Sequence, residues 1–205
     1  MGSYKFLRLD KRVSKIEVRD MILKYDRDDM RAITAILWIT GARISEILLM
    51  RKEDIKEGDN NTMELTITTL KKPRRRRVKT KTGKFRKNKK GEFVWKMAGK
   101  KAILESRNII LNKDTPFLDI FLNYTKGKED KLFEIKRCSV NWHMKKVNHN
   151  ISPHIFRHSR LQQIADKGAT SHQIRSFAGH KNIIHSQPYV EASKQLLTPI
   201  KDMIN

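Results

Sequence analysis

Between Lys71 and Lys101 the chain sets sixteen lysines and arginines against one acidic residue, Glu92. Such a run cannot be buried, because unpaired charge is costly to desolvate. The hydrophobic core must therefore come from the two flanks. The basic stretch is left either as a disordered insertion or as a strand-and-loop arm laid along a polyanion. Phe85, Phe93 and Trp95 inside it argue for partial order, since purely solvating tracts are poor in aromatics. The whole chain carries 45 Lys/Arg against 22 Asp/Glu, a formal net charge of +23 and a pI near 10.3. A handful of excess charges would serve solubility, so the surplus points to a polyanionic partner, with nucleic acid first.

At 205 residues there is material for one substantial domain. In the upstream flank, Ser14–Tyr25 reads as an amphipathic helix, with Ile16, Met21 and Leu23 apolar and Ser14/Glu17 forming a capping-box pattern. Arg27–Thr40 is a second helix with an apolar run of Ile33, Ile36, Leu37 and Ile39, ended by Gly41. Arg43 follows at once, before a third helix holding Ile44, Ile47, Leu48 and Leu49. An arginine in so tight a connection anchors carbonyls or clamps a ligand. Glu46 pairs with a basic residue or faces solvent, and no catalytic role is assigned to it. Residues 58–61, GDNN, are a turn, and Met63–Leu70 alternates like a half-buried strand. After Pro73, Arg76–Thr80 is expected to return as its antiparallel partner.

Beyond the basic run, Ala98–Leu111 reads as a helix, and Asp114-Thr115-Pro116 interrupts it. Cys138–Val147 is a further helix with Val140, Met144 and Val147 on one side, its Trp142 and His143 assigned to packing or surface. Ser152 caps and Pro153 opens the next helix, where a missing N–H costs nothing. Ile155, Ile164 and Ala165 are placed near one helical face and Gly168 at its end. His154 and Arg157 then lie side by side in its first turn, where amides, imidazole and guanidinium make an anion site. A short helix capped by Thr170 or Ser171 closes at Gly179 and delivers His180. Nine residues later comes Tyr189, preceded by Pro188; if Pro188 opens a helix, Tyr189 sits at its positive end.

Taken singly these features are ordinary. A tyrosine after proline is usually packed or exposed, and a His-x-x-Arg is usually a solvated helix face. Their joint order is not ordinary. His154/Arg157, Gly179-His180 and Tyr189, with Thr40-Gly41-Ala42-Arg43-Ile44-Ser45-Glu46-Ile47 upstream, resemble the tyrosine recombinase (phage integrase) family. That family carries a T-G-x-R-x-S-E-[IL] signature, a His-x-x-Arg box, a Gly-His and a nucleophilic tyrosine nine residues after that histidine. The resemblance spans nearly the whole chain but only the catalytic half of the family.

The resemblance implies an α+β, mainly helical catalytic fold with a small antiparallel sheet. It implies a site-specific DNA recombinase or integrase working without metal or ATP through a 3′-phosphotyrosyl intermediate, and the lysine-, isoleucine- and asparagine-rich composition points to a low-GC mobile element of a virus or plasmid. Arg43 and Arg157 would hold the two non-bridging oxygens, and His180 would donate to one of them. His154 would assist proton removal from Tyr189 or orient the phosphate. A lysine on the family's β-hairpin protonates the leaving 5′ oxygen. Here Lys72 is preferred and Lys71 second, with Lys79 and Lys81 still open. Lys71, Arg74, Arg75, Arg76, Arg77, Lys79 and Lys81 are the expected DNA-binding residues. No cofactor is implied. The partners implied are double-stranded DNA and further copies of the chain, a tetramer on DNA, with a monomer allowed when free.

About forty residues precede Arg43, so residues 1–205 are expected to be a single catalytic domain, with 1–13 an N-terminal extension that includes a Met1-Gly2-Ser3 remnant. On this reading 71–101 is a basic hairpin or insertion, 190–205 a C-terminal tail, and no separate N-terminal DNA-clamping domain is present. The histidines at 149, 158, 172 and 185 lack ligand spacing with Cys, Asp or Glu, so no metal site is expected. The single cysteine, Cys138, excludes an internal disulfide framework and suits a reducing compartment. With no apolar run near about 18 residues and no secretory signal, a cytoplasmic location is expected. Two other readings stay open at this stage: a type IB topoisomerase-like relaxing activity, and a non-catalytic DNA-binding protein on the same scaffold.

Overall fold

The computed structural model describes residues 12–71, 74–78, 80, 82–98 and 103–202, with side chains described over 12–69, 78, 80, 82–94 and 105–194. Lys72, Lys79 and Lys81 thus lie outside the described residues, and Lys71 and Arg74–Arg77 are described in their backbone alone. The chain divides into two compact units. One comprises Met1–Ile67 with Arg107–Asn205, the other Thr68–Ser106.

The larger unit is built around α2 (Asp28–Thr40), which is apolar on nearly every side and is buried accordingly, from Ala32 through Thr40 without a break. Around it pack α1 (Lys15–Lys24), α4 (Leu118–Thr125) and α6 (Pro153–Asp166). The expected capping box of α1 is present: the Glu17 amide donates to Ser14 Oγ at 3.2 Å and the Ser14 amide to Glu17 Oε2 at 2.8 Å. Gly41 ends α2 at φ 57°, its amide donating to the Leu37 carbonyl at 2.9 Å. A Cβ there would be strained by φ and would press to 3.0 Å from Arg160 Cβ, so glycine lets α6 approach this turn. The single-turn α3 (Ile44–Ile47) follows.

Strands β1 (Ile55–Gly58) and β2 (Thr62–Lys71) form a hairpin in which Ile55 faces Leu65 and Gly58 faces Thr62, turning through Asn60 and Asn61 at positive φ. The other neighbour of β2 is β5 (Ile103–Asn112), in the order β1-β2-β5. Here two expectations fail. Ala98–Leu111 is not a helix: from 107 to 112 the pattern alternates, with Ile109 and Leu111 buried and Asn108, Ile110 and Asn112 exposed. That is a period of two, so a strand. Nor does Arg76–Thr80 pair with Met63–Leu70.

The strand after Pro73 is instead β3 (Arg74–Arg77), in the smaller unit. It pairs antiparallel with β4 (Trp95–Ala98), Arg74 opposite Ala98 and Arg77 opposite Trp95. The ladder continues as Val78 N to Val94 O at 2.9 Å and Arg86 N to Val78 O at 2.7 Å, with Phe85 and Phe93 edge to face at 6.2 Å. Phe85 and Phe93 thus meet within the strand-and-loop part of the basic run that the structure describes.

Three further helices complete the larger unit: α5 (Arg137–Val147), α7 (Ser171–Ala178) and α8 (Gln187–Asp202). Thr170 caps α7 through a capping box with Gln173, and Gly179 ends it at φ 62°. α6 is buried on two sides, Phe156 in the main core and Leu161 with Ala165 in a second cluster beside Ile174, Ala178 and Tyr189, while Ile155 and Ile164 are only partly buried. Nine residues is a half-turn out of phase on a helix, so Ile155 and Ile164 cannot share a face. Among the described residues, no helix is long and apolar enough to cross a membrane.

Candidate active site

The site begins where α2 stops. Thr40 Oγ1 donates to the Ile36 carbonyl at 2.6 Å and accepts the Ala42 amide at 3.2 Å, which tightens the turn through Gly41. Arg43 then becomes the residue that caps α3. Its backbone amide donates to Glu46 Oε2 at 3.0 Å and its Nη1 to Glu46 Oε1 at 2.7 Å. Glu46, only 2% exposed, also receives Arg107 Nη2 at 2.9 Å from β5. One buried carboxylate thus orients two guanidiniums from different elements.

Arg157, on the second turn of α6, is 4% exposed. Its Nη1 donates to the Gly41 carbonyl at 2.9 Å and its Nη2 to the Ala178 carbonyl at 2.7 Å. Arg107 Nε takes the neighbouring Phe177 carbonyl at 2.8 Å. The C-terminal carbonyls of α7, which have no partner within their helix, are thereby satisfied by two cations at the negative end of the dipole. Gly179 is needed here: a Cβ would lie 2.8 Å from Arg107 Nη1. His180, next in the chain, places Nδ1 2.9 Å from Ser186 Oγ.

A cleft is lined by Arg43, Ile44, Ser45, Arg137, Pro153, His154 and Arg157. It joins the α3 turn to the first turns of α5 and α6. The α6 cap residue, Ser152, makes no side-chain hydrogen bond to the helix start. Tyr189, third residue of α8, is 4% exposed. Its Oη lies 2.7 Å from His158 Nδ1, the two rings 6.0 Å apart and tilted by 27°. Gln162 Nε2 donates to the Tyr189 carbonyl at 3.2 Å, fixing the start of α8 against α6.

The electrostatics follow from three guanidiniums, Arg43, Arg107 and Arg157, sharing one carboxylate. Burial, and then Arg43, pulls Arg157 down to about 10, against which Glu46 pulls upward. It still carries its charge at neutral pH. His180 is pushed down to about 3, first by burial and then by Arg157, Arg43, His185 and Arg107. His154 is lowered by burial, then by Arg137, Arg157 and Arg43. His158 is lowered by burial, then by His154 and Arg157. All three imidazoles are therefore neutral at pH 7. Burial raises Tyr189 to about 12, against a smaller downward pull from Arg157. Among the described residues the cluster sets three guanidiniums around one carboxylate and is therefore net positive.

Arg43, His154, Arg157, His180 and Tyr189, dispersed over about 150 residues of sequence, are brought into one electrostatic neighbourhood. The lysine and arginine positions assigned in the basic run lie outside the described residues or are described in backbone only. Four residues of the site escape sequence reasoning. Arg107 is hidden when β5 reads as a helix. Arg137 belongs to no motif. Glu46 is undecided between pairing and solvent in the sequence, and in the fold it pairs. His158 has no metal-ligand spacing, yet its position four residues after His154 puts both on one helical face, which is the signal that could have found it.

The phage integrase family's sequence model matches residues 11–195. Among curated relatives, the chain is 26% identical over 179 residues to the tyrosine recombinase XerC of Leptospira interrogans, covering 83% of this chain and 49% of that protein. It is 24% identical over 180 residues to a probable integrase/recombinase of Aquifex aeolicus, covering 80% of this chain and 53% of that one. The chain thus spans about half the length of the curated relatives it matches. Among solved structures it resembles the XerH site-specific recombinase bound to palindromic difH substrate, a post-cleavage complex, with a TM-score of 0.61 at 17% identity over 95% of this chain and 53% of that one. It also resembles the catalytic domain of bacteriophage HP1 integrase, with a TM-score of 0.55 at 13% identity over 88% and 86% of the two chains. These likenesses establish the fold as the tyrosine-recombinase catalytic fold, α+β and mainly helical with a small antiparallel sheet.

Proposed function

Because this chain belongs to the phage integrase family, we propose that it is a site-specific recombinase that cleaves and rejoins double-stranded DNA through Tyr189. The observation that carries the reading is the cleft where Arg43 and Arg157 meet beside His154. A guanidinium has five N–H donors. Arg157 commits two of them to carbonyls and Arg43 is braced by Glu46, so both are held rigid while keeping donors for an anion. A phosphodiester supplies the negative charge the cluster lacks. As attack builds charge on the two non-bridging oxygens, donors already in place stabilise it without reorganising.

In this mechanism Tyr189 Oη bonds to phosphorus, the P–O5′ bond breaks, and a 3′-phosphotyrosyl link and a free 5′ hydroxyl result. The covalent bond conserves the phosphodiester energy, so a 5′ hydroxyl from another duplex reverses the step and exchanges strands. His154, in the cleft, orients the phosphate. His180, neutral and held through Nδ1 by Ser186, donates from its other ring nitrogen to a non-bridging oxygen. A lysine of the basic run, Lys72 first, then Lys71, Lys79 or Lys81, protonates the leaving oxygen. Arg74–Arg77 and the neighbouring lysines hold the DNA backbone. Exchanging both strands of two duplexes needs four cleavages, hence four protomers on DNA.

The test is a nicked duplex that loses its 5′ hydroxyl fragment on cleavage, incubated with the protein in EDTA and run on a denaturing gel. The reading predicts a protein–DNA adduct that survives SDS and is absent from Tyr189→Phe. Tight binding without any adduct in the unaltered protein would leave a DNA-binding protein in its place. Supercoil relaxation without joining of two duplexes would leave a topoisomerase-like activity.

A further inference from the structure

Tyr189 does not stand alone in its burial, and the group that meets it is not the histidine of the His-x-x-Arg box. His158 Nδ1 is 2.7 Å from Tyr189 Oη, a short hydrogen bond between the attacking oxygen and an imidazole nitrogen. The rings lie nearly parallel, tilted by 27°. His154 lines the arginine cleft instead, with its ring 6.4 Å from that of His158. The two histidines, four residues apart on α6, therefore serve different atoms: one faces the anion cleft, the other the nucleophile.

We propose that His158 is the catalytic base for Tyr189, orienting its Oη and taking the phenolic proton as the tyrosine attacks. The proposal rests on the recombinase reading above. As the Oη–P bond forms, the proton on Oη passes to the Nδ1 lone pair. The electron pair of the breaking P–O5′ bond stays on O5′, which takes its proton from the lysine general acid. The base must be unprotonated beforehand. The groups that act on His158 are His154 and Arg157 of its own helix and Tyr189 of α8; the first two, after burial, hold its proton affinity below the ordinary histidine value. In the tautomer with the hydrogen on Nε2, Nδ1 is the acceptor and Oη the donor. His158 is exposed, so a proton taken up there has a route to solvent. Without such a partner, a phenol raised to about 12 yields almost no phenolate at neutral pH.

The experiment measures single-turnover adduct formation at saturating suicide substrate from pH 6.5 to 9.5, for the unaltered protein, His158→Ala and His158→Gln, with DNA affinity measured alongside. Glutamine offers Oη an acceptor but cannot take its proton. The expected result is a loss of about 10²–10⁴-fold at pH 7 in both variants, the usual contribution of a positioned base. DNA affinity should stay unchanged, and the deficit should narrow as hydroxide takes over at high pH. Wild-type rates in either variant, recovery in His158→Gln, or a deficit that is the same at every pH would overturn the proposal. Absence of any adduct in the unaltered protein overturns the recombinase reading instead, and this inference with it.

Discussion

Glu46 is the residue on which the arrangement of cations turns. Its carboxylate is 2% exposed and accepts from Arg43 and Arg107, which are 35% and 13% exposed at their side chains. Glu46→Gln would remove the carboxylate that both guanidiniums share. The expected cost is about 3 kcal/mol, the low end for breaking a buried pair because Arg43 is partly solvated. Adduct formation should fall with it, since Arg43 loses its brace. Chemical denaturation and the gel assay check both effects, and an unchanged unfolding midpoint would contradict the role. Arg43, Arg157, His180 and Tyr189 are readable as a set because each sits in a short motif with fixed spacing. Glu46 is readable only as a charge of undecided fate, since its burial depends on β5 bringing Arg107 to it. His158 is visible in the sequence, but a search for metal ligands alone filters it out.

At the scale of elements, helix ends carry the site, and the signals for helix ends are local. Ser14/Glu17, Thr170, Pro153, Gly41 and Gly179 all mark the boundaries they suggest. What failed was register and pairing. Ala98–Leu111 begins with residues that suit a helix, and its alternation emerges only at Arg107 and beyond. The partner of a strand is likewise chosen by packing outside its own sequence. Two glycines separate backbone strain from site geometry. Gly168 has φ 88° with nothing within 4 Å of an added Cβ, whereas Gly179 has φ 62° and Arg107 in the way. Gly168→Ala should cost on the order of 1 kcal/mol of stability and leave cleavage intact. Gly179→Ala should cost cleavage as well, by displacing Arg107 from the Phe177 carbonyl and Glu46. Equal cleavage in the two variants would count against Arg107 as part of the site.

Two properties belong to the molecule as a whole. The first is its surplus of 23 positive charges. Deleting residues 82–92 removes five Lys/Arg and one Glu. If this loop grips DNA, the slope of log affinity against log salt should fall in magnitude by about 1 for each phosphate it no longer neutralises. An unchanged slope would assign the grip elsewhere. The second property is stability against pH. His154, His158 and His180 all have folded values below 6.5, so between those values and 6.5 the unfolded chain binds more protons. Stability is therefore lost as pH falls from about 6.5 toward about 3, where His180 finally titrates. Tyr25 and Tyr189, both raised to about 12, act at the other end: their contribution is intact below 10 and lost as pH rises through 12. Thermal unfolding should show a plateau from about pH 7 to 10 with lower midpoints on both sides. A midpoint that rises from pH 7 to 5 would contradict the lowered proton affinity of these histidines.

The proposed recombination stands on a single bond, Tyr189 Oη to phosphorus, and mapping the covalent adduct looks for that bond itself. Trypsin should release the peptide from Asn182 to Lys194, whose one tyrosine is Tyr189. After nuclease treatment, mass spectrometry is predicted to find a nucleotide 3′-phosphate on that peptide, fragmenting to Tyr189. The same nucleotide on any other residue, or a DNA-linked protein in which this peptide is unmodified, would contradict Tyr189 as the nucleophile.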